Sequence, residues 1–162
     1  MTIILNHQQI EHKIRRIAYQ IYETNLNEPE FILAGIQENG YILSEKLYTE
    51  LSQICDIPIK LCKVKINKNN VLEPISTSLS KEEYINRSVV LVDDVLSTGT
   101  TLIYGVKHFL EVPLKRLKTA VLVDRNHKKY PVKADFKGIS LSTSLQEHIE
   151  VRFGENSEAY LH

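Results

Sequence analysis

Apolar residues recur along the chain with two different periods, and these periods predict alternating helices and strands. Ile10, Ile14 and Ile17 lie at helical spacing, which predicts an amphipathic helix over residues 7–24. The continuous apolar runs at 31–36 and 89–92 are typical of strands that are covered on both faces, as in a parallel sheet.

Further segments continue this alternation. Helices are expected from Gly40 onward and over residues 100–110. Because strands alternate with helices, the pattern predicts an α/β fold with a mainly parallel sheet flanked by helices, in a single domain over residues 1–162. The other strand candidates are 57–66, 119–123, 132–139 and 149–153.

Residues 67–87 interrupt the pattern with a long polar stretch. It contains the turn formers Asn67, Asn70 and Pro74. Long loops in compact domains are usually functional or disordered. We therefore expect a mobile excursion at about 67–87.

Composition and charge exclude some classes of protein. Hydrophobic residues make up 43% of the chain and charged residues 25%, which is ordinary for a globular domain. The formal net charge is zero, so the overall charge gives no argument for nucleic-acid binding. Cys55 and Cys62 lie in no metal-ligand pattern. No signal peptide or membrane-spanning run is apparent, so a cytoplasmic protein without membrane contact is expected.

Candidate chemistry is concentrated after the strand at 89–92. Asp93 and Asp94 follow it at the carboxyl end, where open α/β sheets usually bind ligands. Residues 97–101 come next and can present hydroxyls, backbone N–H groups and a helix N-terminus to an anion. Two adjacent carboxylates beside a phosphate-binding loop indicate that the ligand is a sugar phosphate with a bound metal ion. The alternative is an ordinary strand-turn-helix in which these side chains act only as caps.

This run resembles the phosphoribosyl-pyrophosphate (PRPP) motif of type I phosphoribosyltransferases. The resemblance implies the phosphoribosyltransferase fold with a small hood near the C-terminal edge. It also implies that the catalytic Asp93 and Asp94 meet the ribose hydroxyls. The residues implied to bind the 5′-phosphate are Val95, Leu96, Ser97, Thr98, Gly99, Thr100 and Thr101.

A second segment, residues 120–138, narrows the resemblance to one branch, the pyrimidine-operon regulators with uracil phosphoribosyltransferase activity. It carries Leu-Val-Asp-Arg, then His127, and later Ala-Asp-Phe-Lys-Gly. The resemblance implies that Asp124 and Arg125 border the base, with Arg125 bonding a base carbonyl. Val123 and Phe136 are implied to line the ring face. The alternative is a surface ion pair between Asp124 and Arg125.

The loop after the first parallel strand departs from the family pattern, which has an arginine where this chain has Asn39. The residues of this expected pyrophosphate loop are Gln37, Glu38, Asn39 and Gly40. Either Glu38 points into solvent while backbone N–H groups bind pyrophosphate, or the loop no longer binds pyrophosphate and the domain is a weak enzyme or a sensor. Lys63, Lys65 or Lys68 could supply the missing positive charge.

The resemblance implies transfer of 5-phosphoribose from PRPP to a nucleobase, with release of pyrophosphate. Mg²⁺ is the implied cofactor, held mainly by the substrate with Asp93 and Asp94 as the nearest protein carboxylates. Ser97 favours uracil, because relatives that act on 6-oxopurines usually have there an Asp that serves as general base. A homodimer or higher homo-oligomer is also implied. The alternative function is a nucleotide-sensing, RNA-binding regulator with weak or no catalysis.

Overall fold

In the computed structural model, which describes residues 1–144 and 146–162, helices alternate with strands along the chain, and the strands form two sheets. The strands are β1 (Thr2–Leu5), β2 (Phe31–Ile36), β3 (Ile59–Lys65), β4 (Ser76–Thr77), β5 (Ser88–Leu96), β6 (Arg116–Arg125), β7 (Phe136–Leu141), β8 (Ile149–Arg152) and β9 (Glu158–Leu161). The helices are α1 (His7–Thr24), α2 (Asn39–Ile54), α3 (Lys81–Tyr84) and α4 (Thr100–Phe109).

Six strands form the central sheet in the order β4-β3-β2-β5-β6-β7. All neighbouring pairs from β3 to β7 are parallel, and only the short β4 runs antiparallel to its neighbour. The prediction of a mainly parallel α/β sheet is therefore confirmed. The carboxyl ends of β2, β5 and β6 meet at one edge of this sheet, which is where parallel sheets usually place their ligand.

Helices cover both faces of the central sheet. The cluster beneath α1 and α2 includes Ile14, Leu43 and Val92, and the cluster beneath α4 includes Leu91 and Phe109. Strand β2 is buried along its whole length. Because both faces are covered, its side chains need no apolar-polar alternation, and this explains the unbroken apolar run in the sequence.

Both chain ends contribute to a second, three-stranded antiparallel sheet in the order β1-β9-β8, which we call the hood. Thr2 pairs with Leu161 and Arg152 with Glu158. The sequence pattern indicated β8 but not β1 or β9. All three strands have four residues, but only β8, with the sequence IEVR, alternates apolar and polar residues, whereas TIIL in β1 and EAYL in β9 do not.

The polar stretch at 67–87 contains some regular structure. Thr77 in β4 pairs with Val64 in β3, and Ser80 precedes α3 and forms a capping box with Glu83. The mobility of this stretch stays a prediction. In the part of the chain that the structure describes, no helix is long and apolar enough to cross a membrane.

Several strand boundaries differ from the sequence pattern, among them those of β5, β6 and β7. Strand β5 runs through Asp93 and Asp94 to Leu96 instead of ending at residue 92. Strand β7 begins at Phe136 and not at residue 132. Before it, Asp135 accepts the backbone N–H of Thr119 at 2.9 Å, which ties this segment to β6 through a side chain.

Candidate active site

Asp93 and Asp94 lie near the carboxyl end of β5, at the edge where the sheet meets the hood. Asp93 is 3% exposed, and its Oδ1 accepts the backbone N–H of Asp94 at 2.9 Å. Burial, followed by the neighbouring charge of Asp94, raises the pKa of Asp93 to about 8, while the ammonium of Lys68 opposes this shift. In the absence of a bound cation, one of the two adjacent carboxyls is therefore protonated near neutral pH.

Gly40 allows α2 to approach these acids closely. A Cβ atom at this position would lie 2.6 Å from the carbonyl oxygen of Val92 and 3.1 Å from Oδ1 of Asp93. The first distance is shorter than real Cβ atoms show, and its oxygen belongs to the backbone of a central strand, while the second is tighter than nine in ten real Cβ contacts. The glycine is therefore required by the packing of the first turn of α2 against β5.

The loop from Ser97 to Thr101 turns directly into α4. Gly99 has a φ of +87°, in the left-handed region that favours glycine, and it precedes the first residue of α4 without a side-chain cap. The carbonyl oxygen of Thr98 accepts the backbone N–H groups of Lys129 at 2.7 Å and Tyr130 at 3.2 Å. The N–H of Thr100 at the start of α4 donates to Oγ1 of Thr98 at 3.3 Å. The N–H groups of Thr101 and Leu102 have no carbonyl partner within the helix, and a fixed loop that leads into such a helix start is the usual form of a phosphate site.

A cavity of about 250 Å³ joins the two acids to this loop. Its walls come from β5, α4, β6 and the hood, together with one lysine from the 67–87 stretch. The lining residues are Lys68, Asp93, Asp94, Val95, Leu96, Ser97, Thr98, Gly99, Thr100, Thr101, Leu102, Val121, Arg125, His148 and Ile149. All the residues expected to bind ribose and 5′-phosphate thus border one space.

Arg125 also lines this cavity, but its bonds go to protein atoms. Its Nη1 donates to Oγ of Ser97 at 3.0 Å, and its Nε donates to Oγ1 of Thr143 at 2.9 Å. Its Nη2 donates to the carbonyl oxygens of Ser144 at 3.1 Å and Glu147 at 2.8 Å. The side chain is 7% exposed. It is therefore neither a surface ion pair with Asp124 nor a free donor waiting for a base.

The other three residues expected at the base lie outside this cavity. Val123 is fully buried in the core cluster beneath α1, and Phe136 belongs to the same cluster. Asp124 is 6% exposed and pairs with Lys128 and Lys137 beside a separate groove. Regular alternation would place Val123 on the same face as Val121, which does line the cavity. Instead Leu122 and Val123 both pack into the cluster beneath α1, so the alternation breaks there.

The expected pyrophosphate loop borders the acids only in part. Asn39 donates its Nδ2 to Oδ2 of Asp94 at 3.0 Å and to the carbonyl oxygen of Val151 in β8 at 2.9 Å. Glu38 is exposed, as the solvent-facing alternative expected, and the Gln37–Glu38 peptide bond is cis. Gln37 and Glu38 face a neighbouring groove of about 540 Å³ that is also lined by Lys63 and Lys65.

Lys68 is the one lysine of the three candidates that reaches the acids. Its Nζ lies 3.8 Å from Oδ1 of Asp93, and its side chain is 47% exposed. It is also the only cavity residue from the 67–87 stretch. A half-exposed ammonium beside a buried carboxyl can turn toward an anionic ligand at little cost in free energy.

The sequence did not indicate four of the residues that line the cavity: Leu102, Val121, His148 and Ile149. Val121 comes from β6, Leu102 from α4 and Ile149 from the start of the hood strand β8, which His148 directly precedes. The apolar run of β6 indicated a strand but not which of its residues would face a ligand. His148 carried no motif, because its place in the site depends on how the hood folds back over β5.

The chain is similar to known proteins over most of its length. The family model for the phosphoribosyl transferase domain matches residues 1–158. Proteins named "Bifunctional protein PyrR" are similar over most of the chain. The one from Streptococcus thermophilus is 34% identical over 151 residues, covering 91% of this chain and 87% of the relative. The one from Macrococcus caseolyticus is 32% identical over 160 residues, covering 94% and 92%.

Solved structures show the same fold at lower identity. The hypoxanthine phosphoribosyltransferase of Trypanosoma cruzi superposes with a TM-score of 0.75 at 19% identity, covering 88% of this chain and 82% of that one. A hypoxanthine-guanine phosphoribosyltransferase from Bacillus anthracis gives a TM-score of 0.72 at 17% identity, covering 87% and 82%.

Proposed function

The chain belongs to the phosphoribosyl transferase domain family, and we propose that it transfers the 5-phosphoribosyl group of PRPP to uracil and releases pyrophosphate. The observation that carries this proposal is the shared cavity. The pair Asp93 and Asp94 and the loop Ser97–Thr101 border one space of about 250 Å³, so a single sugar phosphate can meet both.

In this proposal the phosphate loop and the acids divide the work of binding PRPP. The backbone N–H groups and hydroxyls of Ser97–Thr101 hold the 5′-phosphate at the N-terminus of α4. Asp93 and Asp94 accept hydrogen bonds from the ribose hydroxyls and stabilise the positive charge that grows on the sugar as the pyrophosphate bond loosens. The protein thus contributes positioning and electrostatics and forms no covalent bond with the substrate.

Lys68 and Asn39 act on the pyrophosphate side of the ribose. Lys68 provides the nearest ammonium to the acids, at 3.8 Å from Asp93, and can attract the leaving pyrophosphate. Asn39 holds the carboxylate of Asp94 in a fixed orientation. An arginine at position 39 is therefore not needed to give this side of the site a positive charge.

Magnesium fits the acids. Carboxylate oxygens are the ligands that Mg²⁺ prefers. Burial, followed by the charge of Asp94, raises the pKa of Asp93, and a bound cation would offset the repulsion between these two carboxylates. Among the residues that the structure describes, no group of three or more His, Cys, Asp or Glu could hold the ion alone. Substrate oxygens would therefore supply most of its ligands. When bound, the ion would stabilise the charge that develops on the leaving pyrophosphate.

The base end of the cavity supports a pyrimidine. Ser97 stands where 6-oxopurine relatives usually have an Asp, and its hydroxyl is engaged by Arg125. A serine without a neighbouring base cannot take a ring proton. Uracil has a more acidic attacking nitrogen and needs less help. The apolar side chains of Val121 and Ile149 offer contacts to its ring.

The test is pyrophosphate release from PRPP and Mg²⁺ with each of uracil, orotate, hypoxanthine, guanine, xanthine and adenine, with the nucleotide products identified. Release with uracil alone, accompanied by UMP, is the expected result. Turnover only with a purine would overturn the argument from Ser97. Binding of PRPP without turnover on any base would leave a nucleotide sensor as the function.

A second proposal is an RNA-binding regulator that senses nucleotides through the same cavity as a homo-oligomer. It is favoured by the word "Bifunctional" in the name of the relatives. The chain has two local clusters of basic residues, one formed by Arg125, Lys128, Lys129 and Lys133 and the other by Lys107, Lys115, Arg116 and Lys118. Acidic partners already pair several of them. Lys128 lies 3.3 Å from Asp124, and Lys115 lies 2.9 Å from Glu28. Gel shifts with pyrimidine-operon leader RNA test it, since phosphate contacts should weaken steeply as salt rises.

A further inference from the structure

The guanidinium of Arg125 holds two separate segments of the chain together. An arginine side chain has five N–H donors, and four hydrogen bonds from Arg125 have protein acceptors. One acceptor, Oγ of Ser97, belongs to the phosphate loop. The others belong to Thr143, Ser144 and Glu147, which lie between β7 and the hood strand β8.

The segment that Arg125 bonds leads directly into residues that line the cavity. Glu147 directly precedes His148 and Ile149, and both of these residues line the cavity. Asn126 and His127 also contact Thr143, but the carbonyl oxygens of Ser144 and Glu147 are held by Arg125. His148 itself is paired with His162 of the hood by two backbone hydrogen bonds. Arg125 holds the segment that leads into His148, and it joins that segment to the phosphate loop.

We propose that Arg125 is a positioning residue that sets the shape of the base end of the cavity by fastening Ser144 and Glu147 to Ser97. This inference rests on the proposed phosphoribosyl transfer to uracil. Arg125 acts through other residues and does not itself bond the base. It therefore takes a different role from the base-carbonyl contact that the sequence implied.

The phosphate loop should depend on Arg125 less than the base end does. Thr98 is held independently by the backbone N–H groups of Lys129 and Tyr130, and Gly99 fixes the turn into α4. Ser97 Oγ accepts its bond from Arg125, so its own proton stays free to be donated to an anion. Loss of the arginine should thus weaken base binding while PRPP binding changes less.

Lysine is the informative replacement. Arg125→Lys keeps the buried positive charge, but a single ammonium with three donors cannot reproduce the planar fork that reaches four acceptors. The KM for uracil should rise about tenfold, which corresponds to about 1.4 kcal/mol, while the KM for PRPP should rise much less. Arg15→Lys is the matched control, because Arg15 lies on α1 and pairs with Glu50 away from the cavity. It should leave both constants unchanged.

Ser97→Ala removes one acceptor and leaves the arginine in place. It should raise the KM for uracil in the same direction, and the double variant with Arg125→Lys should be no worse than Arg125→Lys alone, because both changes break one connection. Additive effects of the two substitutions would overturn the proposal. So would an equal rise of the two KM values in Arg125→Lys.

Hydrogen exchange separates this inference from the proposed function, because it needs no substrate. In ligand-free Arg125→Lys, amides in peptides that contain Ser144, Glu147 and His148 should exchange faster than in the wild type, with no change in α1. Unchanged exchange of these amides would refute the proposal that Arg125 holds this segment, whether or not the enzyme is active. Faster exchange in a protein that turns over no base would support the connection and reject the proposed reaction.

Discussion

Asn39 donates its side-chain amide to Oδ2 of Asp94 across 3.0 Å, from the loop position where the family resemblance implies an arginine. The same amide group donates to the carbonyl oxygen of Val151 at 2.9 Å, so it also ties the hood to the acids. The departure from the family pattern thus has a structural role: the side chain that replaces the arginine orients one of the two carboxylates.

Replacing Asn39 with alanine should therefore impair catalysis. A hydrogen bond to a charged group contributes roughly 1.5–3 kcal/mol, so kcat/KM should fall by about tenfold or more. Asn27→Ala is the control, since Asn27 is exposed beyond the end of α1. Steady-state kinetics with varied PRPP would measure the effect. If Asn39→Ala kept the activity of the control, Asp94 would need no such partner.

The unusual pKa of Asp93 predicts a dependence of stability on pH. Its folded-state value of about 8 lies above the ordinary value of 3.8, so between these values the folded protein binds a proton that the unfolded chain releases. Stability from this group is complete at low pH and is lost as pH rises toward and through 8. The contribution of Asp93 should therefore lower the melting temperature of the ligand-free protein as the pH rises from 5 to 8.

Asp93→Asn isolates this contribution, because the amide cannot ionise. Burial lowers the pKa of His108, which acts in the opposite direction, but both proteins share that group. The difference in melting temperature between variant and wild type should therefore grow in favour of the variant from pH 5 to pH 8. A constant difference over this range would show that Asp93 is already ionised at pH 5.

Two glycines allow a matched test of packing beside the acids. In Gly40→Ala the new methyl group would meet the Val92 carbonyl oxygen at 2.6 Å, whereas in Gly154→Ala nothing lies within 4 Å of it. Overpacking of this kind costs about 1–3 kcal/mol. Denaturant unfolding should show this loss for Gly40→Ala, with reduced activity, and almost none for Gly154→Ala. Equal stability of both variants would mean that α2 can move away from β5 freely.

Removal of the lysine charge at the acids should weaken PRPP binding. Lys68→Gln leaves Asp93 without the ammonium at 3.8 Å and should raise its pKa further, since that charge now lowers it. We expect the Kd for PRPP to rise about tenfold, the effect of losing roughly 1.4 kcal/mol. Calorimetric titration measures it, with Lys81→Gln as control because Lys81 pairs with Glu111 on the surface. If Lys68→Gln bound PRPP as tightly as the control variant, Lys68 would have no role in binding PRPP.

The sequence predicted the parts of the site that are contiguous in the chain. Asp93, Asp94 and Ser97–Thr101 follow one strand, so a local pattern was sufficient to bring them together. The bond of Asn39 to Asp94 spans 55 residues and that of Arg125 to Ser97 spans 28, and no local period encodes such pairs.

The expectations for the base end show where periodicity is insufficient. The family resemblance implied that Val123 lines the ring face, whereas the break in alternation after Leu122 turns its side chain into the core. His148 and Ile149 enter the cavity because β8 pairs with β9, which pairs with β1 from the other end of the chain. That arrangement is decided by tertiary packing and could not be read from four-residue strands.

The most direct test of the central claim compares the wild type with Asp94→Asn in a reaction containing PRPP, Mg²⁺ and uracil. The wild type should form UMP and pyrophosphate in equal amounts. Asp94→Asn should form them at least about a hundredfold more slowly, because the charge that stabilises the developing sugar cation is gone, while its melting temperature stays close to that of the wild type. Equal rates in the two proteins, or no UMP from the wild type, would contradict the assignment of this cavity to phosphoribosyl transfer.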